Sequence, residues 1–295
     1  MLAFVNAKIN IGLYVTSKRP DGYHDLETVF YPVGVAEGLA GTSASPHPFC
    51  DIIEYVASEE DNLVIKGRHV DCPLDKNLVW RAISLFRDAF HEKKGVSLPP
   101  YHITLLKNLP DGAGLGGGSA DATFTLRTLN TLCDSSFSDT ELEDMALRLG
   151  ADCPFFVRNH AAYAAGVGER LEDISLSLDG WWIVIAKPRI HISTREAFAG
   201  MMPAPAPMDL RTLASLSPYQ WKEAGVFNQF ETTLFPLYPE LSEVKEKLYA
   251  SGAVYASMSG SGAALYGLYP SREKAENGID ALGSTLEGVW LLELK

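Results

Sequence analysis

Between Val5 and Val15 apolar and polar residues alternate. Ile9, Ile11, Leu13 and Val15 fall on one side, and Lys8, Asn10 and Gly12 fall on the other. A period of two predicts a strand. Arg19-Pro20-Asp21-Gly22 is turn chemistry, and a second strand-like run follows over Leu26–Val33. The chain therefore opens as a β-hairpin whose tip carries Gly22-Tyr23-His24.

The period then changes. Leu78–Phe90 reads as an amphipathic helix with Leu78, Ala82, Leu85 and Ala89 on one face. Tyr101–Leu106 reads as a strand, a glycine-rich loop covers 112–118, and a helix over Ser119–Leu132 leaves that loop. Ser138-Asp139-Thr140-Glu141 is a capping box; Leu142, Met145, Ala146 and Leu149 form the apolar stripe behind it, and Gly150 stops the helix. Phe155–Val157 begins a further apolar segment, and Trp181–Ala186 is a buried strand ended by Lys187-Pro188. Alternate prolines make Met201–Met208 a loop or flap. A helix at Leu241–Ser251 precedes two strand-like segments within Val254–Leu268, arranged around Ser259-Gly260-Ser261-Gly262. A helix at Arg272–Leu282 and a strand at Val289–Leu294 close the chain. Strands and helices mix without regular alternation, which predicts an α+β fold in two halves.

Composition narrows the function. A chain of 295 residues suits two domains, and 46% hydrophobic with 21% charged residues is a globular balance. The net charge of −12 argues against nucleic-acid binding, which needs a basic patch. It leaves room for a phosphorylated ligand, because backbone N–H groups can hold phosphate locally. The 4 cysteines, none at C-x-x-C spacing, make no disulfide framework and point to a reducing cytoplasm. No H-E-x-x-H pattern occurs among the 7 histidines, so no metal-ligating residue is assigned. The N-terminus lacks a basic region followed by an apolar run, and no stretch is apolar enough to span a membrane, so neither a signal peptide nor a membrane contact is expected. A monomer or weak homodimer is the expected state.

The chemistry concentrates in Pro110-Asp111-Gly112-Ala113-Gly114-Leu115-Gly116-Gly117-Gly118-Ser119-Ala120-Asp121-Ala122. Five of the seven residues from Gly112 to Gly118 are glycine, directly before a helix. Glycine allows close approach to backbone N–H groups, and a helix N-terminus adds free donors and partial positive charge. Gly112, Gly114 and Gly117 satisfy G-x-G-x-x-G, but the setting is not a regular βαβ unit. Gly112 and Gly117 also fit the P-loop spacing, but Gly118 stands where its lysine belongs. The alternative to a phosphate site is a flexible turn.

A third pattern is specific. Pro110, Gly114, Leu115, Ser119 and Ala122 sit in a segment that resembles the ATP-binding motif of the GHMP kinases. Ala7-Lys8-Ile9-Asn10 resembles the N-terminal strand of that family, and Ser259-Gly260-Ser261-Gly262-Ala263 resembles its C-terminal glycine loop. Asp21-Gly22-Tyr23-His24-Asp25-Leu26, Leu149-Gly150-Ala151-Asp152-Cys153-Pro154 and Gly166-Val167-Gly168-Glu169 are similar to one branch of it. That branch phosphorylates the 2-hydroxyl of a diphosphocytidyl-linked polyol in the non-mevalonate route to isoprenoids.

The resemblance implies a two-domain α+β fold with the active site in the cleft. Residues 1–158 would form the ATP-binding domain and 159–295 the substrate-binding domain, with the hairpin 11–32 packed on the latter. It implies ATP and Mg²⁺. Asp152 would be the base that accepts the hydroxyl proton, and Lys8 its cationic partner. Asn10, Tyr23, His24, Thr194 and Phe198 would hold the cytidyl substrate. Asn77, Lys107, Pro110, Gly112, Gly114, Leu115, Gly116, Gly117, Gly118 and Ser119 would hold ATP. The residue types allow plainer roles as well: a turn residue at Asp152, a solvated lysine at Lys8 or Lys107, an exposed Tyr-His tip, a core phenylalanine at Phe198. Ala120 and Asp121 depart from the serine-asparagine common in the family. Asp121 reads either as a Mg²⁺ ligand or as a first-turn carboxylate favoured by the helix dipole.

Two other functions compete. One is a GHMP kinase for another alcohol, of homoserine or mevalonate type, where a base-reading Tyr23-His24 would have no purpose. The other is a non-catalytic nucleotide-binding module, which would need neither Lys8 nor Asp152.

Overall fold

The computed structural model describes residues 1–34, 48–70, 72–283 and 286–295. In chain order these form β1 (Leu2–Val5), β2 (Ala7–Lys18), β3 (His24–Val33), β4 (Asp51–Ala57), β5 (Asn62–Gly67), α1 (Leu78–Lys94), β6 (Tyr101–Lys107), α2 (Gly117–Leu132), α3 (Asp139–Leu147) and α4 (Phe155–Arg158). There follow β7 (Ala162–Gly166), β8 (Arg170–Asp173), β9 (Trp182–Lys187), α5 (Thr194–Ala199), α6 (Pro218–Trp221), α7 (Glu231–Leu237), α8 (Pro239–Ala250), β10 (Tyr255–Met258), β11 (Leu265–Tyr269), α9 (Arg272–Leu282) and β12 (Gly288–Glu293).

The alternation of the opening strand does not run unbroken. The β2–β3 register shifts between Ile11 and Leu13, where Gly12 sits at φ +64°. A bulge inserts one residue and turns the following side chains to the other face. Ile9 and Ile11 therefore pack into one core, whereas Leu13 and Val15 pack into another. The single apolar face expected from the sequence is two half-faces. That switch lets one strand contribute to two cores.

Three four-stranded sheets result, ordered β1-β4-β6-β5, β2-β3-β7-β8 and β10-β11-β9-β12. Helices α1 to α4 cover one face of the first sheet, joining Val79, Phe86, Leu126 and Phe156 to Ile53 and Ile103. The second sheet packs face to face on the third through Ile9, Ile11 and Val29 against Ile185, Tyr266 and Leu268. Each such buried side chain contributes about 1.5–3 kcal/mol, so this layer is a firm junction between the halves. The far face of the third sheet packs under α7, α8 and α9.

Smaller differences have local causes. In α1 the fully buried face is Val79, Ala82, Ile83 and Phe86, while Leu78, Leu85 and Ala89 flank it. Helix α2 begins two residues early and takes in Gly117 and Gly118. The capping box forms at Ser138 and Glu141, but α3 ends at Leu147, short of Gly150. The apolar segment that begins at Phe155–Val157 forms a single helical turn. Residues 201–208 carry no helix or strand, and Ala204 N–H donates to the Val15 carbonyl at 2.9 Å. Among the described residues no helix is long and apolar enough to cross a membrane.

Candidate active site

The glycine loop links β6 to α2, and its shape is set by what lies against it. Gly112, Gly114 and Gly116 all have positive φ. A methyl group at Gly114 would stand 2.0 Å from the Ser259 carbonyl oxygen, so no other residue fits there. The Ser259 hydroxyl donates to the Gly114 carbonyl at 2.8 Å and accepts from the Asn10 N–H at 3.2 Å. One serine from the C-terminal half thus joins the loop to the first long strand. Gly116 forms the N-cap of α2 and offers no side-chain cap. The first-turn N–H groups of this 16-residue helix are left for an anion. That fits a polyphosphate.

Beside the loop lies the buried Lys8 ammonium, 2.6 Å from Asn10 Oδ1 and 3.4 Å from Asp152 Oδ2. It also sits 4.8 Å above the Phe30 ring. Asn10 Nδ2 donates to Thr28 Oγ1 at 3.1 Å, which fixes the amide orientation so that its oxygen faces Lys8. Lys8 is only 3% exposed, yet the Asp152 side chain keeps 35% of its surface open to the cleft. The carboxylate can therefore meet a substrate while its cation stays fixed behind it. Asp152 arrives from the turn after α3, and Gly168 faces it: a methyl there would stand 3.6 Å from Asp152 Oδ1.

These groups open into a cleft of about 1100 Å³. Lys8, Asn10, Tyr23, His24, Thr194, Phe198 and Asp152 line it, as do Pro110, Gly112, Gly114, Gly116, Gly117, Gly118 and Ser119. At the far end His24 and Phe198 stack with ring centroids 4.8 Å apart and planes 17° from parallel. Phe230 meets Phe198 edge-on at 4.8 Å. Tyr23 is 66% exposed at the hairpin tip.

Three expected ATP residues stand elsewhere. Leu115 is buried in the core, and its carbonyl accepts from Lys8 N–H at 2.9 Å. Asn77 is the N-cap of α1, its Oδ1 accepting from Val79 N–H at 2.9 Å. Lys107 is buried behind the loop and is paired with Asp51 and Asp121, so it is not a solvated lysine on the cleft wall. Asp121 is likewise buried, with Lys107 Nζ 2.7 Å away. It faces neither solvent nor the cleft, which does not suit a Mg²⁺ ligand, and because α2 begins at Gly117 it lies beyond the first turn, so the first-turn reading does not describe it either. Among the described residues no group of three His, Cys, Asp or Glu side chains could hold a metal ion.

Sequence reasoning missed the joining role of Ser259 and the support under it. Asn228 Nδ2 donates to the carbonyls of Met258 and Gly260 at 2.9 and 2.8 Å, holding the Ser259–Gly262 loop. The Ser-Gly-Ser-Gly run marks that loop in the sequence, but nothing local marks Asn228.

The chain is similar in sequence and fold to known proteins. The model for the GHMP kinases N terminal domain matches residues 77–160, and that for the GHMP kinases C terminal domain matches residues 209–288. The chain is 42% identical to the 4-diphosphocytidyl-2-C-methyl-D-erythritol kinase of Parabacteroides distasonis, covering 91% of this chain and 92% of that protein. It is 44% identical to the protein of the same name from Bacteroides thetaiotaomicron, over 91% and 92% of the two chains. A solved structure of 4-(cytidine 5'-diphospho)-2C-methyl-D-erythritol kinase superposes with a TM-score of 0.75 at 30% identity, over 100% of both chains. A homoserine kinase from Cytophaga hutchinsonii superposes with a TM-score of 0.67 at 17% identity, over 98% of this chain and 95% of its own, and shares the fold alone.

Proposed function

The chain belongs to the GHMP kinases, in the family of the 4-diphosphocytidyl-2-C-methyl-D-erythritol kinases, and from that premise we propose that it transfers the γ-phosphoryl group of ATP to the 2-hydroxyl of 4-diphosphocytidyl-2-C-methyl-D-erythritol. The observation that carries this reading is one continuous cleft with a glycine loop and helix N-terminus at one end, an aromatic stack at the other, and the Lys8–Asp152 pair between. In this reading residues 1–158 supply most of the ATP side. Residues 159–295 and the hairpin 11–32 supply the cytidyl side.

The phosphates of ATP rest on the N–H groups from Gly116 to Ser119. Mg²⁺ would offset phosphate charge, and the Ser119 hydroxyl and the Asp111 carboxyl are the hard-oxygen side chains by which the loop would meet it. The acceptor hydroxyl lies against Asp152. As its oxygen bonds to the γ-phosphorus, the bond to the β-phosphate oxygen breaks and the hydroxyl proton passes to the Asp152 carboxylate. The Lys8 ammonium stabilises the negative charge on the transferring oxygens and keeps Asp152 in place through its contact at 3.4 Å. Most of the acceleration comes from holding the two reactants in line in a site already built for them. Tyr23 and Phe198 offer faces to the cytosine ring, and His24 and Thr194 offer polar contacts to its edge.

Product analysis tests the reading. Phosphorus NMR of a reaction with ATP, Mg²⁺ and the cytidyl substrate should show a new phosphomonoester on the 2-oxygen, growing in step with ADP. ADP formation without that ester, or an ester on another hydroxyl, would contradict it.

A further inference from the structure

The cluster behind the glycine loop has no part in the mechanism above, yet it grips both ends of the loop. Asp51, on β4, is fully buried; its Oδ1 accepts from the N–H groups of Asn108 and Leu109 at 2.6 and 2.8 Å, just before the loop. Its Oδ2 takes Lys107 Nζ. That ammonium also donates to Asp121 Oδ2 at 2.7 Å, and Asp121 stands in α2, just after the loop. A methyl group at Gly117 would lie 3.5 Å from Lys107 Nζ, so the cation sits directly under the helix end that faces the phosphates. Asp121 Oδ1 is buried with no hydrogen-bond partner among the described residues.

We infer that Lys107, Asp51 and Asp121 form a positioning unit for the phosphates of ATP, with Lys107 setting the loop and its field from behind rather than touching the nucleotide from the cleft. The inference rests on reading Gly112–Ser119 as the phosphate loop. A buried ammonium needs an anionic partner, and here two carboxylates compete for one cation. Burial lowers the pKa of Lys107, but Asp121 and Asp51 outweigh it and the net direction is up. Burial raises the carboxyl of Asp121 well above its ordinary value, with Lys107 opposing. The unit is one buried ammonium held between two buried carboxyl groups, one reaching the residues before the loop and the other the helix after it.

The test is steady-state kinetics on the full chain, with KM for ATP and KM for the cytidyl acceptor measured separately, and direct binding of a fluorescent ATP analogue. Asp121→Leu and Lys107→Met should each raise KM for ATP about tenfold or more, while KM for the acceptor stays within about twofold. Asp121→Asn, which keeps the shape and one acceptor for the ammonium, should restore KM for ATP to within about threefold of wild type. Folded Asp121→Leu or Lys107→Met protein with wild-type affinity for ATP would overturn the inference, as would equal losses for ATP and acceptor. If the larger changes prevent folding, Asp121→Asn decides: a rise in KM for ATP of up to about threefold with that for the acceptor unmoved supports the inference, and no change or an equal rise in both overturns it. Failure of the wild-type enzyme to bind ATP would instead remove the phosphate-loop reading and this inference with it.

Discussion

The two ends of the cleft are built in opposite ways. The phosphate end is made of backbone and buried charge: positive-φ glycines, a helix N-terminus, and a lysine only 3% exposed. Each part is fixed by something behind it, namely Ser259 behind Gly114, Asn10 behind Lys8, and Lys107 behind Gly117. The cytidyl end is made of side chains, and its outermost residue, Tyr23, is 66% exposed. In the proposed reading, phosphoryl-transfer chemistry rests on parts held by these contacts, and recognition of the acceptor rests on a tip and a short helix. A change at the first end should weaken the use of ATP, whereas a change at the second should weaken the use of the acceptor.

The largest effect should come from the pair between the ends. Asp152→Asn should lower kcat by about 100- to 10,000-fold with little change in either KM, because a proton acceptor is lost while the cleft keeps its shape. Lys8→Ala should fall in the same range; near-normal turnover in either variant would remove the assigned role. Next comes Gly114→Ala. At φ +76° and with the Ser259 oxygen 2.0 Å from the new methyl, the loop must move, and strain of about 1–3 kcal/mol should appear as a raised KM for ATP. Unchanged ATP binding would mean the loop is softer than its contacts imply.

Phe198→Ala should act only at the other end. Loss of a stacking face is worth about 1–3 kcal/mol, or roughly 5- to 150-fold in KM for the cytidyl substrate, with KM for ATP unmoved. A matching loss for ATP would erase the distinction between the two ends. The smallest effect lies outside both. Lys93, together with the Ser138 N–H, draws the Glu141 carboxyl down from 4.5 to about 2. A depressed carboxyl stabilises the fold above its unfolded value and loses that contribution as pH falls through its folded value. Glu141→Gln should therefore narrow its stability gap from wild type as pH drops from 4.5 towards 2. Because the pair is exposed, a small gap at neutral pH is expected, read from thermal midpoints. A gap that widens in acid would reverse the assignment.

The same contrast governs what the sequence reveals. The helix after the glycine loop, the capping box at Ser138 and the strand ending at Lys187 follow local rules, and they form within two or three residues of expectation. Strands β7 and β8 are small and lack a clear alternation: Ala162, Ala164 and Ala165 say little until β3 pairs with them. The bulge at Gly12 is one glycine among many until two cores are seen on either side of it. At the site, the glycine loop stands out by residue type, whereas Lys8 and Asp152 are nominated by the family resemblance. The pairing of Lys107 with Asp51 joins residues 56 positions apart, a tertiary contact that no local pattern announces. For that reason the sequence does not show that the lysine just ahead of the glycine loop is buried between two carboxyl groups.

The most direct test of the account is ADP release from ATP and Mg²⁺ with four acceptors side by side: 4-diphosphocytidyl-2-C-methyl-D-erythritol, mevalonate, homoserine and galactose, each with wild-type enzyme and Asp152→Asn. Turnover with the cytidyl acceptor alone, lost in the variant, is the predicted result. Comparable turnover with another alcohol, or full turnover in Asp152→Asn, would contradict it.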